Sequence, residues 1–441
     1  MKLVYDIADK PPIKKNLIYA FQQLLAIMAA TLLVPILVDG TGTYMSQPAA
    51  LCGAGFGTLF YLFIATKKKS PVFLGSSFAF IAPLAGAVSF GFLGIFLGAV
   101  FAGLVYVIIA LIIKKTGSEW VNKLLPPVVI GPTVALIGLS LCGSAVNNIN
   151  NTAAGSYNLI AILVGVIAFI ITVYASTKGS KGMKMIPFII GILGAYVVAL
   201  IFTLIGNAAN IDALKLVNLA AFDNMQIFKM PRFTFLGIFG AYPEATNKIG
   251  SFGDVISILV LFAPVAFVTL AEHIADHKNL SSIIERDLIT DPGLDRTLIG
   301  DGVGSIVGSF FGGCPNTTYG ESVGCVAITG NASISTIAIA AVYCIILSFF
   351  DPFVCFVNSI PSCIVGGVCI ALYGFIAVSG LKMLQPVDLN DNRNLFVVAG
   401  ILVPGIGGLT LNFSHITISS IATGLILGIL INVIFNKRAA K

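Results

Sequence analysis

The sequence predicts an all-α polytopic membrane protein of fourteen transmembrane segments, arranged as 7+7 inverted repeats, with two short strands in interrupted spans three and ten. Three observations lead there. Only 10% of the residues are charged, 57% are hydrophobic and the mean hydropathy is +0.99, whereas a soluble chain carries about 25% charged residues. Apolar runs long enough to cross a bilayer, about 20 residues each, recur along the whole chain. Lys and Arg then fall on one side of the membrane once those runs are counted.

The runs lie near 16–38, 46–65, 72–89, 91–113, 124–146, 157–176 and 186–206. A polar insert at 207–253 follows, and then runs near 254–279, 296–313, 315–329, 332–350, 360–380, 394–411 and 413–435. The first run has full membrane length and no convincing cleavage site, so it reads as a span rather than a signal peptide. With the N-terminus inside, every Lys and Arg but four falls in a cytoplasmic segment, from Lys2 to Lys437, Arg438 and Lys441. The exceptions, Lys215, Lys229, Arg232 and Lys248, all lie in the insert, and long loops report poorly on orientation. Both termini are expected in the cytoplasm. An odd number of spans per half inverts the second half relative to the first, as in many secondary transporters.

The eight Cys lie in or beside apolar runs without CxxC or metal spacing, so they read as small buried hydrophobes. No metal and no cofactor is expected. The three histidines are His273, His277 and His415, and Ile274 stands where a zinc-protease HExxH pattern would need another residue.

The stretch from Arg296 to Thr329 departs most from an ordinary span. It is rich in glycine, Pro315 ends any arriving helix, and Asn316, Thr317 and Thr318 compete for backbone hydrogen bonds. Glu321 follows at once. Such backbone survives at membrane depth only inside protein or beside a watery cavity, and an ionisable residue there marks a functional site by default. The pattern predicts an extended segment from about Cys314 to Tyr319 feeding a half-helix near Gly320, with free N–H groups aimed at the membrane middle. The plainer alternative is a glycine-rich packing surface, which leaves PNTT unexplained.

The inverted repeat predicts a partner in span three. There Pro71, Gly75, Ser76 and Ser77 interrupt the helix, and Phe78 stands where a half-helix would begin. Span eight ends in AEHIADH: Glu272 and Asp276, four apart, share one helix face, and His273 and His277 share the next. His277 reads as a support of the site or as a mark of the helix end at the cytoplasmic interface. Span one holds the amide pair Gln22 and Gln23, either helix–helix glue or partners for a buried carboxylate. Spans five to seven and twelve to fourteen are smoother and read as a scaffold.

AEHIADH at 271–277, PNTTYGESVG at 315–324 and FLGSSFAFIAP at 73–83 resemble the nucleobase–ascorbate transporter family in its bacterial uracil permease branch. The similarity covers nearly the whole chain, including DPGLDRTLIGDG at 291–302 and ALYGFIAVSG at 371–380. It implies a core domain (16–113 and 254–350), a gate domain (114–206 and 351–435) and an extracellular insert (207–253). It also implies uracil–proton symport, no enzyme activity, a place in the cell membrane and no nucleic-acid partner. A homodimer through the gate domain fits the family. The resemblance puts uracil against Glu272 and Glu321, against backbone amides near Phe78 and Gly320 with Ser77 beside them, and near Tyr373. Two carboxylates four residues apart in a partly dry site cannot both ionise cheaply, so Glu272 and Asp276 are the expected proton-coupling pair; Gln23 is expected to bind Glu321, as the family histidine would.

The chain departs from the family pattern at Gln23, where a histidine is usual, at Asp276, where some uracil carriers have histidine, and at Ser322 and Gly330. The residue chemistry fits independently. Uracil offers two N–H donors and two carbonyls, which two carboxylates and two half-helix amides complement. A purine (xanthine or urate) symporter of the same fold is the nearest alternative. An anion transporter would want a cation at Glu321, and an intramembrane enzyme would want a nucleophile or metal.

Overall fold

The computed structural model describes residues 3–150, 157–243, 247–413 and 416–436. His415 and the basic terminal residues Lys2, Lys437, Arg438 and Lys441 lie outside them. The first half runs α1 (Ile13–Val38), α2 (Gln47–Phe60, prolonged by a π-helical turn), β1 (Leu74–Ser76), α3 (Ile81–Ala87), α4 (Gly91–Thr116), α5 (Glu119–Leu124), α6 (Pro127–Ser140), α7 (Cys142–Asn150), α8 (Leu159–Thr177) and α9 (Pro187–Ala209). The insert carries α10 (Thr234–Ile238). Beyond it come α11 (Phe252–Ile284), α12 (Leu294–Gly312), β2 (Asn316–Thr318), α13 (Gly320–Thr329), α14 (Ile334–Ser348), α15 (Asp351–Ser359), α16 (Ser362–Lys382), α17 (Asn392–Ile406), β3 (Leu411–Phe413), β4 (Ile416–Ile418) and α18 (Ser420–Asn436).

Eight helical stretches among the described residues are long and apolar enough to cross a membrane, and three shorter apolar helices accompany them. The protein is a mostly helical, multi-pass membrane protein.

Local chemistry explains the boundaries. At the start of the long α11, Ser251 and Asp254 close a reciprocal capping box. α12 stops at Gly313 and α13 at Gly330, both with positive φ. Two expected spans come out differently. The run at 124–146 is broken at Leu141 into α6 and α7, just before the weak helix formers Gly143 and Ser144. The run at 394–411 ends early, because Pro404 and the positive-φ Gly408 close α17 and a β3–β4 hairpin follows. Seven of the cysteines are buried as expected, but Cys142 is exposed.

Two packing groups emerge. α1, α2, α4, α11, α12 and α14 surround the β1–β2 pair, while α6 to α9 pack with α16 to α18. α11 touches both groups, through α6, α18 and β4. The insert is tied to each: Asn218 N–H donates to Ser359 O (3.3 Å) and Arg232 Nη2 to Thr43 O (3.0 Å). The N-terminal segment pairs with the chain after α13, Val4 N–H donating to Gly330 O at 2.7 Å, and Asp6 forms an ion pair with Arg286.

Within the first group α4 and α12 approach backbone to backbone. A Cβ at Gly302 would stand 2.7 Å from Gly103 O, and one at Gly103 would stand 2.5 Å from Gly302 O. Gly302→Val should therefore overpack this contact at a cost of about 1–3 kcal/mol. Thermal unfolding of the purified protein in detergent reads it; an unchanged melting temperature would contradict the close approach.

Candidate functional site

The two interrupted segments meet as an antiparallel pair, Leu74 opposite Thr318, Gly75 opposite Thr317 and Ser76 opposite Asn316. Ser77 N–H donating to Pro315 O (3.0 Å) and Tyr319 N–H donating to Phe73 O (3.2 Å) extend the ladder at its two ends. A helix begins directly after each strand, through a 3₁₀ turn at Phe78–Phe80 before α3, and at Gly320 in α13. The amides of Phe78 and Gly320 are thus the first beyond the ladder, at the positive ends of two short helices. Tyr319 locks the junction: its Oη donates to Ser76 O at 2.8 Å, and its ring fills the space beside Gly75.

α11 brings Glu272 and Asp276 to this junction. Asp276 Oδ2 accepts from Thr318 Oγ1 at 2.8 Å, and a Cβ on Gly320 would stand 3.6 Å from Asp276 Oδ1. Glu272, Asp276, Gly320 and Glu321 are all half-buried, so they line a partly open space. Among the described residues the Glu272 carboxylate makes no hydrogen bond. Phe78 stands edge-on to Tyr373 of α16, ring centroids 5.6 Å apart, which joins the two packing groups at this point. Ser77 Oγ and Tyr373 Oη are buried with no hydrogen-bond partner among the described residues. A separate cavity of about 1420 Å³ opens beside the insert, lined by Asp351, Lys229 and Arg232, and takes in none of these site residues.

Two expectations need correction. Gln23 does not reach Glu321; its Nε2 donates to Ser322 Oγ, which also accepts from Phe73 N–H at 3.3 Å. Successive residues on a helix point about 100° apart at 3.6 residues per turn, so Ser322 faces α1 while Glu321 faces α11. His277 does not mark the helix end, because α11 runs on to Ile284. It is fully buried, its Nδ1–H donating to His273 O (2.8 Å) and its Nε2 bonded to Tyr61 Oη (2.8 Å), on the side of α11 away from the carboxylates.

The sequence reading missed Asp301. It is 1% exposed and bonds His273 Nδ1 at 2.7 Å, while His273 Nε2 meets Thr297 Oγ1 at 3.0 Å. The signal was present: a carboxylate in the middle of an apolar helix, hidden among glycines. Among the described residues no cluster of His, Cys, Asp and Glu has the arrangement of a metal site.

Paired strands inside a helical membrane body, with carboxylates gathered where the half-helix α13 begins, are features that suit a membrane transporter. Residues 14–413 match the Xan_ur_permease family, described as a permease family. The chain is 40% identical to the uracil permease of Bacillus caldolyticus, covering 99% of this chain and 96% of that one. It is 32% identical to the uracil permease of Escherichia coli K12, covering 97% and 93%. A solved transmembrane domain of the cyanobacterial bicarbonate transporter BicA shares the fold with a TM-score of 0.60 at 15% identity, covering 96% of this chain and 97% of that one. The chain belongs to the permease family, in the branch of bacterial uracil permeases, and is a transporter rather than an enzyme.

The buried His273–Asp301 couple yields a stability prediction. His273→Ala leaves the buried carboxyl without its hydrogen-bond partner, which costs about 1–3 kcal/mol. A sharp fall in melting temperature in detergent is expected; a stability within about 0.5 kcal/mol of wild type would show that the couple is not holding α11 to α12.

Proposed function

We propose that the protein takes up uracil together with a proton across the cell membrane, by alternating access. The observation that carries this reading is the match between site and cargo. Two half-helix amides, at Phe78 and Gly320, can donate to the two carbonyls of a pyrimidine, and the carboxylates of Glu272 and Glu321 can accept from its two N–H groups. Phe78 and Tyr373 supply aromatic faces, and Ser77 Oγ is an available polar atom. A site built on such bonds rejects molecules that leave its buried groups unpaired. The names of the relatives support uracil as the cargo. The fold is also that of a bicarbonate transporter, but carboxylates gathered at the site disfavour an anion here.

In this reading fourteen spans form two inverted repeats of seven, and both termini are cytoplasmic. The core domain (16–113 and 254–350) carries the site and moves against the gate domain (114–206 and 351–435), with the insert outside. The contact between Phe78 and Tyr373 is then a core–gate contact that breaks and reforms as the site changes sides. A homodimer through the gate domain would cover part of the exposed apolar faces of α8 and α9, which include Ile170 and Val197. Glu272 and Asp276 carry the transported proton. Two carboxylates one turn apart in a partly dry site cannot both ionise cheaply, so one proton neutralises the pair while the loaded core crosses. Thr318 holds Asp276, which leaves Glu272 free to turn to the substrate.

Two measurements test these roles. Glu321→Gln replaces an acceptor with a group that can set a donor against a ring N–H. A charge-assisted hydrogen bond is worth roughly 1.5–3 kcal/mol, so uracil affinity by calorimetry should fall tenfold to hundredfold in a monodisperse protein. Wild-type affinity would remove Glu321 from the site. For coupling, Glu272→Gln should abolish accumulation driven by a pH gradient, and Asp276→Asn should shift the pH optimum of uptake. If both variants keep the wild-type pH profile, the proton travels elsewhere.

A further inference from the structure

The side chain of Asn316, the first residue of β2, is 2% exposed and lies between α2 and α12. Its Nδ2 donates to Gly53 O of α2 at 3.3 Å, and its main-chain carbonyl accepts from Ser305 Oγ of α12. Both helices carry a glycine where the amide lies. A Cβ at Gly57 would stand 2.7 Å from Asn316 Nδ2. At Gly308 the three nearest atoms to an added Cβ all belong to the Asn316 side chain: Nδ2, then Cγ at 2.6 Å and Oδ1 at 2.9 Å.

β1 is held in a matching way. Thr58 Oγ1 of α2 donates to Leu74 O (3.1 Å) and accepts from Leu74 N–H (2.9 Å), as Ser305 holds Asn316. Leu74 in turn presses on α12, where a Cβ at Gly304 would stand 2.5 Å from Leu74 Cδ1. Each strand thus hangs from a hydroxyl of the helix before it, and its first side chain enters space left by glycine. The difference is chemical. Leucine only packs, whereas the amide also donates to a backbone carbonyl, so the position of β2 depends on a directional bond.

We propose that Asn316 is a positioning residue for substrate binding. Wedged between α2 and α12, it fixes the start of β2, and through that short strand the place of the Gly320 amide and the Glu321 carboxylate. The strand is only three residues long and Thr318 is already bound to Asp276, so a shift at Asn316 has no slack to absorb it. This inference rests on the uracil-site reading above, and it gives that site a residue that never touches the substrate.

The test is a double-mutant cycle on the full-length protein, reading uracil affinity by calorimetry, KM and Vmax of uptake in proteoliposomes, and melting temperature. Asn316→Ala and Gly308→Ala should each weaken uracil binding on the order of tenfold, because sites need their groups held within about 0.5 Å. KM should rise while Vmax at saturating uracil stays within about twofold, since transport of bound substrate does not need the tighter fit. Gly308→Ala should add nothing in the Asn316→Ala background, where the atoms it would meet are gone. If Asn316→Ala does not fold, Asn316→Leu fills the slot as Leu74 does and removes only the donor, and the same loss of affinity is expected of it. Wild-type affinity in a folded Asn316 variant, a lower melting temperature without loss of affinity, or fully additive effects in the double mutant would each overturn the proposal. A wild-type protein with no affinity for uracil overturns the uracil reading itself, and this inference with it.

Discussion

Two chain segments break their helices where no water is available to satisfy the backbone, and each does so because the other supplies its hydrogen bonds. A backbone polar group left unpaired in hydrocarbon costs several kcal/mol, so neither the Leu74–Ser76 segment nor the Asn316–Thr318 segment could stand alone at that depth. Paired antiparallel, they satisfy one another, and the end of each lies beside the start of the other. The arrangement that removes this cost also sets one helix N-terminus at each end of a single short ladder inside the protein. Everything proposed for the site depends on this pairing.

The surroundings keep that pair in register. Thr58 and Ser305 reach it from α2 and α12, Tyr319 ties its two ends together, and Asp276 holds Thr318 from α11. The close approach of α2, α4 and α12 is possible because glycines face each other across the contacts. A second polar layer, His273 with Asp301 and Thr297 and His277 with Tyr61, joins the same helices. One group of packed helices therefore carries the carboxylates, while Phe78 meets Tyr373 on the other group. That division is what a transporter moving one body against another would need.

Much of this was legible in the residues. Pro315 with NTT, and Gly75 with two serines, announced the broken spans, because proline ends an arriving helix and the others are weak helix formers. The facing of Glu272 and Asp276 followed from a spacing of four. Other features were not legible, for physical reasons. Gln23 lies one residue's rotation away from its expected partner, and no spacing rule tells which of two adjacent side chains on α13 an amide on another helix will meet. The role of Asn316 depends on glycines far away in the sequence that come together only on folding. The break at Leu141 and the β3–β4 hairpin reflect weak helix formers in long apolar runs, where hydropathy alone reads one continuous span. Asp301 could have been found by the rule that singled out Glu321, but its glycine neighbours made it look like packing.

The central claim is that this pair of strands and its carboxylates make a proton-coupled uracil site. The most direct measurement is uptake of radiolabelled uracil into proteoliposomes holding the purified protein, with the lumen alkaline relative to the outside and then with equal pH. The account predicts accumulation above the external concentration only with the gradient, lost on adding a protonophore and competed by excess uracil but not by xanthine. Accumulation indifferent to the gradient, or xanthine carried in preference to uracil, would contradict it.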